Sequence, residues 1–258
     1  MPNSIAILYF HQGWTDIFNC LALIKWYQPQ FEKVYTVMRE DARPLFDFFI
    51  RNTNIKPLYV AHEYVNHTHT TFNPVNLLDN ENNNDLPTEQ ISTLFHGYCD
   101  IFQKDDNYKN RFDKEICIHG VFFVQSFYSG YNIPYMTRVN DFTFDRDHCL
   151  ENETYLRFIE KYGETYILHH NVPENSNIIS TEHPYVNLNG STQIFFDYIK
   201  ILEKSQEIHV IDSSWSAFIY LLDAKYRLFK DKKIYVYCNY GYYEMFKEPF
   251  GLDNWILI

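Results

Sequence analysis

Short β-branched segments alternate with segments of helical length in the first part of this 258-residue chain. In chain order, we predict a strand Ile5–Phe10, a helix Ile17–Tyr27, a strand Lys33–Met38, a helix Arg43–Arg51 and a strand Pro57–Val60. Parallel strands need crossover connections, which helices commonly supply. The second of these segments has only Asn19 and Lys25 as polar residues, so we expect a helix buried on nearly every side. This order predicts an α/β domain with a parallel sheet and helices on its faces.

The alternation lapses in the middle of the chain. The run Asp79–Asp85 is polar throughout and predicts a surface loop or an insertion. Other patterns predict helices over Thr88–Gln103, Val121–Ser129 and Glu151–Tyr162, with a strand-like Phe142–Phe144.

After Gly163 the alternation resumes. The predicted elements are a strand Tyr166–His170, a loop or short strand Val186–Gly190, a helix Thr192–Lys204, a strand Glu207–Ile211, a helix Ser213–Ala224, a strand Lys233–Tyr237 and a strand Trp255–Ile258. We therefore predict a compact α/β molecule of two Rossmann-like domains, 1–162 and 163–258, that face a cleft.

Charge and cysteine usage disfavour several classes of protein. The formal net charge is −11, whereas a nucleic-acid-binding protein would show an excess of basic residues. No apolar stretch reaches the roughly 18 residues of a membrane span, and Ile5–Phe10 is too short for a signal peptide. Five dispersed cysteines without CxxC spacing indicate reduced thiols and a cytoplasmic protein. The 19% aromatic content suits stacking of sugars and bases, but genome bias toward Phe, Tyr, Asn, Ile and Lys is the favoured explanation.

Asp212, Ser213 and Ser214 stand where a β-branched run passes into the apolar stretch Trp215–Leu222. A strand that leads into a helix through small hydroxyl residues exposes free N–H groups at the positive end of the helix dipole. Such a turn is suited to a phosphate or diphosphate. The alternative is structural, with Asp212 or Ser213 as the N-cap of the helix.

Four further residues in the second half have similar alternatives. Ser191 and Thr192 form a second helix start of the same kind. His169 and His170 end a predicted strand, and the carboxyl ends of parallel strands are where α/β sheets bind ligands. One of the two histidines is expected to bond a phosphate or leaving oxygen while the other faces the opposite side. A structural role is the alternative for each, and His209, in mid-strand, is expected to be a satisfied interior histidine.

Several motifs together resemble a known family. Gly13-Trp14-Thr15-Asp16, between the first strand and an apolar helix, resembles the Gly-x-Gly-Asp turn of heptosyltransferase-like glycosyltransferases of GT-B architecture. The segment 127–135, with Arg138, Phe142 and Arg146-Asp147, is similar to small viral or bacterial members of that superfamily. The segments 186–190 and 208–214 are similar to their donor-side half, and to that of fucosyltransferase-type enzymes.

The resemblance has two departures. Thr15 replaces the second glycine of the turn, which limits how closely the loop can approach a substrate. Many members also carry a C-terminal helix that crosses back to the first domain, and none is expected after the last predicted strand.

The resemblance implies a glycosyltransferase that moves a sugar from a nucleotide-diphosphate donor to a glycan hydroxyl. It implies inversion and a location in the cytoplasm of a bacterium or of a virus-infected host cell. We expect independence of metals on a separate ground, that the chain offers no Asp-x-Asp tripeptide of the type that holds a metal-diphosphate in the other large glycosyltransferase fold, and we expect no cofactor. The first domain would bind the acceptor and the second the donor. Asp16 would act as general base, with an N-terminal helix cap as its alternative role. Arg138 would bind phosphate or acceptor, against a salt bridge to Asp141 or Asp145. The other implied contacts are Gly13 and Trp14 on the acceptor side, and His169, His170, Glu182, Ser191, Thr192, Asp212, Ser213 and Ser214 on the donor side.

Other chemistries find less support. His62, His67 and His69 lie in a polar segment, where a surface cluster is a simpler explanation than a metal site. The chain has no Gly-x-Gly-x-x-Gly and no Gly-Lys-Ser/Thr loop, which disfavours dinucleotide oxidoreductases and P-loop enzymes. Two rival functions stay open. One is a non-catalytic nucleotide-sugar-binding module, and the other is a flavodoxin-like regulatory or structural protein whose helix caps are only structural.

Overall fold

The computed structural model describes residues 5–10, 13–61, 91–96, 124–125, 127–128, 131–172, 183–188, 195–237 and 252–258. The chain divides into two units, Met1–Phe144 and Asp145–Ile258. Each unit contains a parallel sheet with helices between its strands. The predicted α/β class with two Rossmann-like halves is confirmed, whereas the boundary at residue 162 and the division of roles stay predictions.

The first unit is built on a four-stranded sheet. Its elements are β1 Ile5–Phe10, α1 Trp14–Tyr27, β2 Lys33–Arg39, α2 Arg43–Ile50, β3 Ile55–Val60, β4 Ile91–His96 and α3 Thr137–Asn140. The strand order is β3-β2-β1-β4, and every described pair is parallel. The apolar residues of α1 from Ile17 to Ile24 are buried, as expected of a helix that lies within a layered domain.

Two predictions for the first unit are wrong. A helix was expected over Thr88–Gln103, but Ile91–His96 is a strand that pairs in parallel with β1 along its whole length. Its β-branched and aromatic residues favour a strand, and pairing with a central strand outweighs the weak helical pattern. The predicted strand Phe142–Phe144 does not form. There, Phe142 stacks on Phe49 with ring centroids 5.9 Å apart, so ring packing takes the place of a ladder.

The second unit is built on a five-stranded sheet. Its elements are α4 His148–Tyr162, β5 Ile167–His170, β6 Tyr185–Asn187, α5 Ile199–Lys204, β7 Ile208–Ile211, α6 Ser214–Tyr226, β8 Ile234–Tyr237 and β9 Trp255–Leu257. The strand order is β6-β5-β7-β8-β9, again parallel throughout. The topology reverses at β5, between β6 and β7, and such a switch point is where open α/β sheets bind ligands.

The helix predicted over Thr192–Lys204 is shorter than expected. A 3-10 turn, Phe195–Tyr198, precedes α5, and residues 191–194 lie outside the described part of the chain. Phe196, which departs from the apolar stripe of the predicted helix, is fully buried against Phe218 at 5.3 Å between ring centroids. In a 3-10 turn, residues three apart lie on the same face. Phe195 and Tyr198 accordingly both pack on Trp215, at 4.4 and 5.8 Å between ring centroids.

A buried carboxylate holds the last described strand to α6. Asp223, fully buried near the end of α6, accepts hydrogen bonds from the Phe229 backbone N–H at 3.0 Å, Trp255 Nε1 at 2.9 Å and Asn254 Nδ2 at 3.1 Å. The helix itself ends with Arg227 in the left-handed conformation at φ 54°. Asp223 thereby fixes the return of the chain into β9.

Among the described residues, no helix is long and apolar enough to cross a membrane.

Candidate functional site

The strongest concentration of site features lies where β7 passes into α6. Ser213 is the N-cap of α6, with extended backbone angles, and the first turn of the helix contains no acidic residue. The Ser213 backbone N–H donates to Ser216 Oγ at 2.8 Å, and Ser216 Oγ donates to the Ser213 carbonyl at 2.7 Å. The N-cap role predicted as an alternative for Ser213 is therefore confirmed. Ser216 fixes the Ser213 backbone at the positive end of the helix.

A second strand brings a histidine to this turn. His170, the last residue of β5, places its Nδ1 3.1 Å from Ser213 Oγ, a contact between residues far apart in sequence. The His170 ring also packs near Trp215, at 6.5 Å between centroids. Parallel pairing of β5 with β7 produces this contact, because both strands end at the same edge of the sheet.

The electrostatic state of His170 follows from its surroundings. Burial, together with the charge of His169, lowers the pKa of His170 to about 4. The imidazole is therefore neutral near pH 7 and carries one proton. Asn171 Nδ2 lies 3.5 Å from His170 Nε2, and the roles of the two ring nitrogens depend on the tautomer. When Nδ1 carries the proton, Nδ1–H donates to Ser213 Oγ, and the Ser213 hydroxyl proton is left to donate elsewhere.

His169 faces the opposite side of the sheet from His170, as predicted for adjacent strand residues. Its ring meets Tyr185 edge-on at 6.2 Å, and burial lowers its pKa. His209, beside it on β7, is 1% exposed and contacts Tyr237 OH at 3.0 Å and Glu207 Oε2 at 3.3 Å. The prediction that His209 is a satisfied interior histidine is confirmed.

Asp212 and Ser214 flank the N-cap and are both half-buried. Ser214 is the first residue of α6, so Ser213 and Ser214 together offer the first hydroxyl groups of the helix. Glu182, Ser191 and Thr192 lie outside the described residues. The structure thus brings His170, Ser213 and Ser214 to one edge of the second sheet.

The corresponding turn of the first unit has a different composition. Gly13 is the N-cap of α1, no side chain caps this end, and Asp16 lies in the first turn of the helix. The alternative that Asp16 is the N-cap is wrong, because α1 begins earlier than its apolar stretch suggested. The Trp14 ring lies 5.2 Å from the guanidinium carbon of Arg39. Asp16 is half-buried at the positive end of the helix, where a carboxylate is favourable.

Arg138 lies in α3, which packs against α1. The side chain is 1% exposed, and its guanidinium donates to the Tyr135 hydroxyl. Burial and the Asp16 carboxylate raise the pKa of the Cys20 thiol, whereas Arg138 lowers it. Asp16 and Arg138 therefore have opposite effects on the pKa of the same buried residue of α1, Cys20. The contact of Arg138 with a phosphate or an acceptor stays a prediction.

Two motifs of the second unit mark helix starts. Ser213-x-x-Ser216 has the spacing of a capping box at the start of α6. The expectation that the chain has no Asp-x-Asp tripeptide is wrong, because Asp145-Arg146-Asp147 has that spacing. Here Asp147 caps α4 by accepting from the Leu150 N–H at 3.1 Å. Arg146 pairs with Glu151 and Glu203.

No group of three or more His, Cys, Asp or Glu residues with the geometry of a metal site occurs within the described ranges. His62, His67 and His69 fall outside those ranges.

Comparison with known proteins shows likeness in structure alone. No protein-family model matches the chain, and no curated protein matches it. The crystal structure of a family 9 glycosyl transferase from Veillonella parvula is similar over 98% of this chain and 86% of that one, with 10% identity and a TM-score of 0.53. E. coli heptosyltransferase WaaC with ADP-2-deoxy-2-fluoro heptose is similar over 98% and 92% of the two chains, with 10% identity and a TM-score of 0.45. This chain therefore shares its α/β fold with the Veillonella glycosyl transferase structure.

Proposed function

We propose that this protein transfers a sugar from a nucleotide-diphosphate donor to a glycan hydroxyl, with inversion and without a metal ion. The observation that carries the proposal is the contact between His170 Nδ1 and Ser213 Oγ at the start of α6, within a glycosyltransferase fold. The second unit would bind the donor, and the first would present Asp16 to the acceptor.

The start of α6 supplies the chemistry that a leaving diphosphate requires. Negative charge accumulates on the leaving phosphate in the transition state, and preorganised donors stabilise it. The first-turn N–H groups and the Ser213 and Ser214 hydroxyls are such donors, and the helix dipole adds to them. With these groups in place, the protein itself, and not a metal ion, would neutralise the charge of the diphosphate.

His170 would orient Ser213. A neutral imidazole that donates from Nδ1 fixes the Ser213 oxygen as acceptor and directs its proton away from the ring. A serine held in this way loses less rotational freedom on binding than one that is free to rotate. Asp212, Ser191, Thr192, Glu182 and His169 complete the proposed donor contacts.

Asp16 would take the proton from the acceptor hydroxyl as its oxygen attacks the anomeric carbon. The acceptor hydroxyl loses its proton to the carboxylate, and its oxygen forms the glycosidic bond. The bond between the anomeric carbon and the phosphate oxygen breaks, and the nucleotide diphosphate leaves. Gly13, Trp14 and Arg138 would contact the acceptor or a phosphate.

The test measures binding and turnover separately. Thermal shift across UDP, GDP, ADP and CMP and their sugars identifies the nucleotide, and product formation with oligosaccharide acceptors identifies the transfer. Ser213→Ala and His170→Phe should weaken binding of the identified nucleotide, and His170→Asn, which keeps a donor near the position of Nδ1, should restore most of it. Nucleotide binding without turnover on any acceptor would favour the non-catalytic module, and the absence of any nucleotide-induced shift would favour the flavodoxin-like alternative.

A further inference from the structure

A cavity of about 310 Å³ lies in the first unit, at the end of α1 away from Asp16. Its lining consists of Lys25, Trp26, Pro29, Gln30, Asp141 and Thr143. Nine residues separate Asp16 from Lys25, which places the cavity about 14 Å along the helix axis from the proposed base. It is therefore separate from both helix starts described above, and its volume is that of a small-ligand site.

The packing of three helices fixes the walls of this cavity. The α3 helix packs on α1 and brings Asp141 and Thr143 beside the last turn of α1. The stacking of Phe142 on Phe49 holds the segment between those two residues against α2. Lys25 lies over the same Phe49 ring at 5.3 Å, so its ammonium group is directed along this wall. The cavity is thus preformed by the core of the unit.

An aromatic surface forms one side. Trp26 is half-buried, and within the part of the chain that the structure describes no other ring stacks on its indole. Gln30 Nε2 donates to the Trp26 carbonyl at 2.6 Å, which ties the turn after α1 to the backbone beneath the indole. A flat, partly open indole offers apolar contact area and the negative face of a π-system to a ligand.

The charges of the lining select among ligands. One cation, Lys25, and one carboxylate, Asp141, give the cavity no net charge. A phosphate would meet repulsion from Asp141, and an apolar ligand would remove water from both charged groups without supplying hydrogen bonds in its place. Lys25 and Asp141 also have interactions within the protein, and a neutral polyhydroxy ligand can add to these, because a carboxylate accepts several hydrogen bonds and an ammonium group donates three.

We propose that this cavity is a saccharide-binding site, in which the apolar face of one sugar ring stacks on Trp26 while its hydroxyls bond Asp141, Lys25 and Thr143. The C–H bonds on one face of a pyranose are slightly positive and match the negative face of the indole. This site is additional to the proposed transfer chemistry and does not depend on it. In a glycan-modifying enzyme it would hold a part of the glycan remote from the reacting sugar.

The experiment follows the indole N–H resonance of Trp26 by NMR, assigned by its disappearance in Trp26→Phe. Methyl glycosides of glucose, galactose, mannose and N-acetylglucosamine are the probes, with inorganic phosphate as the anionic comparison. We expect one or more glycosides to shift this resonance with a millimolar Kd, about −4 kcal/mol, as befits a single sugar ring on an open site. Phosphate should leave it unchanged.

The variants separate the proposed contacts. Trp26→Ala should abolish saturable glycoside binding, measured on the glycoside by saturation-transfer NMR, and Thr143→Val should weaken it about fivefold through one lost hydrogen bond. Tyr226→Ala, which removes an exposed ring in the second unit, is the matched control and should bind as the wild type does.

The outcomes distinguish this inference from the proposed function. If no glycoside shifts the Trp26 resonance, or if Trp26→Ala binds as the wild type does, the saccharide site is refuted, whatever the nucleotide experiments show. If glycosides bind here and no nucleotide sugar is consumed, the saccharide site stands and the transferase proposal fails.

Discussion

The two units begin a helix after a central strand in opposite ways. At α1 the N-cap is Gly13, no side chain caps the turn, and Asp16 places a carboxylate at the positive end of the helix. At α6 the N-cap is Ser213, Ser216 closes the turn, and the first turn carries no acid. Both helices present the positive end of a dipole there, but only α1 has a carboxylate in its first turn. Under the proposed function, the same βα element would support base chemistry in one unit and phosphate binding in the other.

The largest expected effect comes from the acidic turn. Asp16→Asn should lower kcat by about 10²–10⁴-fold, the usual contribution of a general base, with little change in nucleotide Kd. Glu153→Gln, which neutralises an exposed acid on α4, is the matched control and should leave kcat unchanged. A fall in melting temperature without a fall in kcat would mean that Asp16 only stabilises its helix.

The next effect is the pH dependence of stability conferred by His170. Its pKa is about 4 in the fold against an ordinary value of 6.5, so the unfolded chain binds more protons between these values. Stability is therefore present above pH 6.5 and lost as the pH falls toward 4. The difference in unfolding free energy between wild type and His170→Phe, measured by denaturant titration at each pH, isolates this contribution.

Asp197 must be controlled for in that measurement because it acts in the opposite direction. Burial, with Asp147 and Glu151 nearby, raises the pKa of Asp197 to about 6. Its contribution is present at low pH and is lost as the pH rises through 6. Asp197→Asn should remove this opposing slope, and the variant His170→Phe should retain it. If the difference in unfolding free energy between wild type and variant has a pH slope of the same sign for both variants, the assignment is wrong.

A carboxylate introduced into the first turn of α6 should give this turn the charge that Asp16 gives to the first turn of α1. Ser214→Glu gives α6 a first-turn carboxylate, and it should weaken nucleotide-diphosphate binding by about 10–100-fold through charge repulsion. The same change should stabilise the unfilled helix by about 0.3–1 kcal/mol. Ser214→Gln, which has the same shape without the charge, is the control. Equal affinities for the two variants would show that the start of α6 does not meet the diphosphate.

The smallest effect concerns the orientation of a single hydroxyl. Ser213→Ala should weaken nucleotide affinity about fivefold, since it removes one hydrogen bond of about 1 kcal/mol. Because Ser213 Oγ mediates the effect of His170, the double variant with His170→Phe should lose less affinity than the sum of the single losses. Isothermal titration of the four proteins measures this coupling, and strict additivity would separate the two residues.

Strand and helix periodicity predicted most of the fold, because the central strands and α1 are apolar on both faces and leave few alternatives. It failed at Ile91–His96, where a short run with no clear alternation takes its conformation from pairing with β1. It also placed the start of α1 too late, because Trp14, Thr15 and Asp16 look like a loop until Gly13 is known to be the cap.

The sequence predicted the start of α6 as an anion site, but it could not predict the partner of Ser213. The choice between His169 and His170 depends on which face of β5 each side chain occupies and on the register between β5 and β7. Both are tertiary properties, and no local pattern around residue 170 contains them. Arg138 shows the same limit, since its almost complete burial depends on how α3 packs against α1.

Asp223 offers a marker for remote relatives that conventional motifs do not. One carboxylate near the end of α6 accepts hydrogen bonds from Phe229, Asn254 and Trp255. Its replacement would therefore leave three donors without their acceptor at once. Residues under such a constraint change slowly even where substrates differ and catalytic turns diverge. A search pattern that couples an aspartate near the end of α6 with Asn-Trp at the entry to β9 would therefore identify relatives by a shared structural constraint, at identities where motif comparison fails.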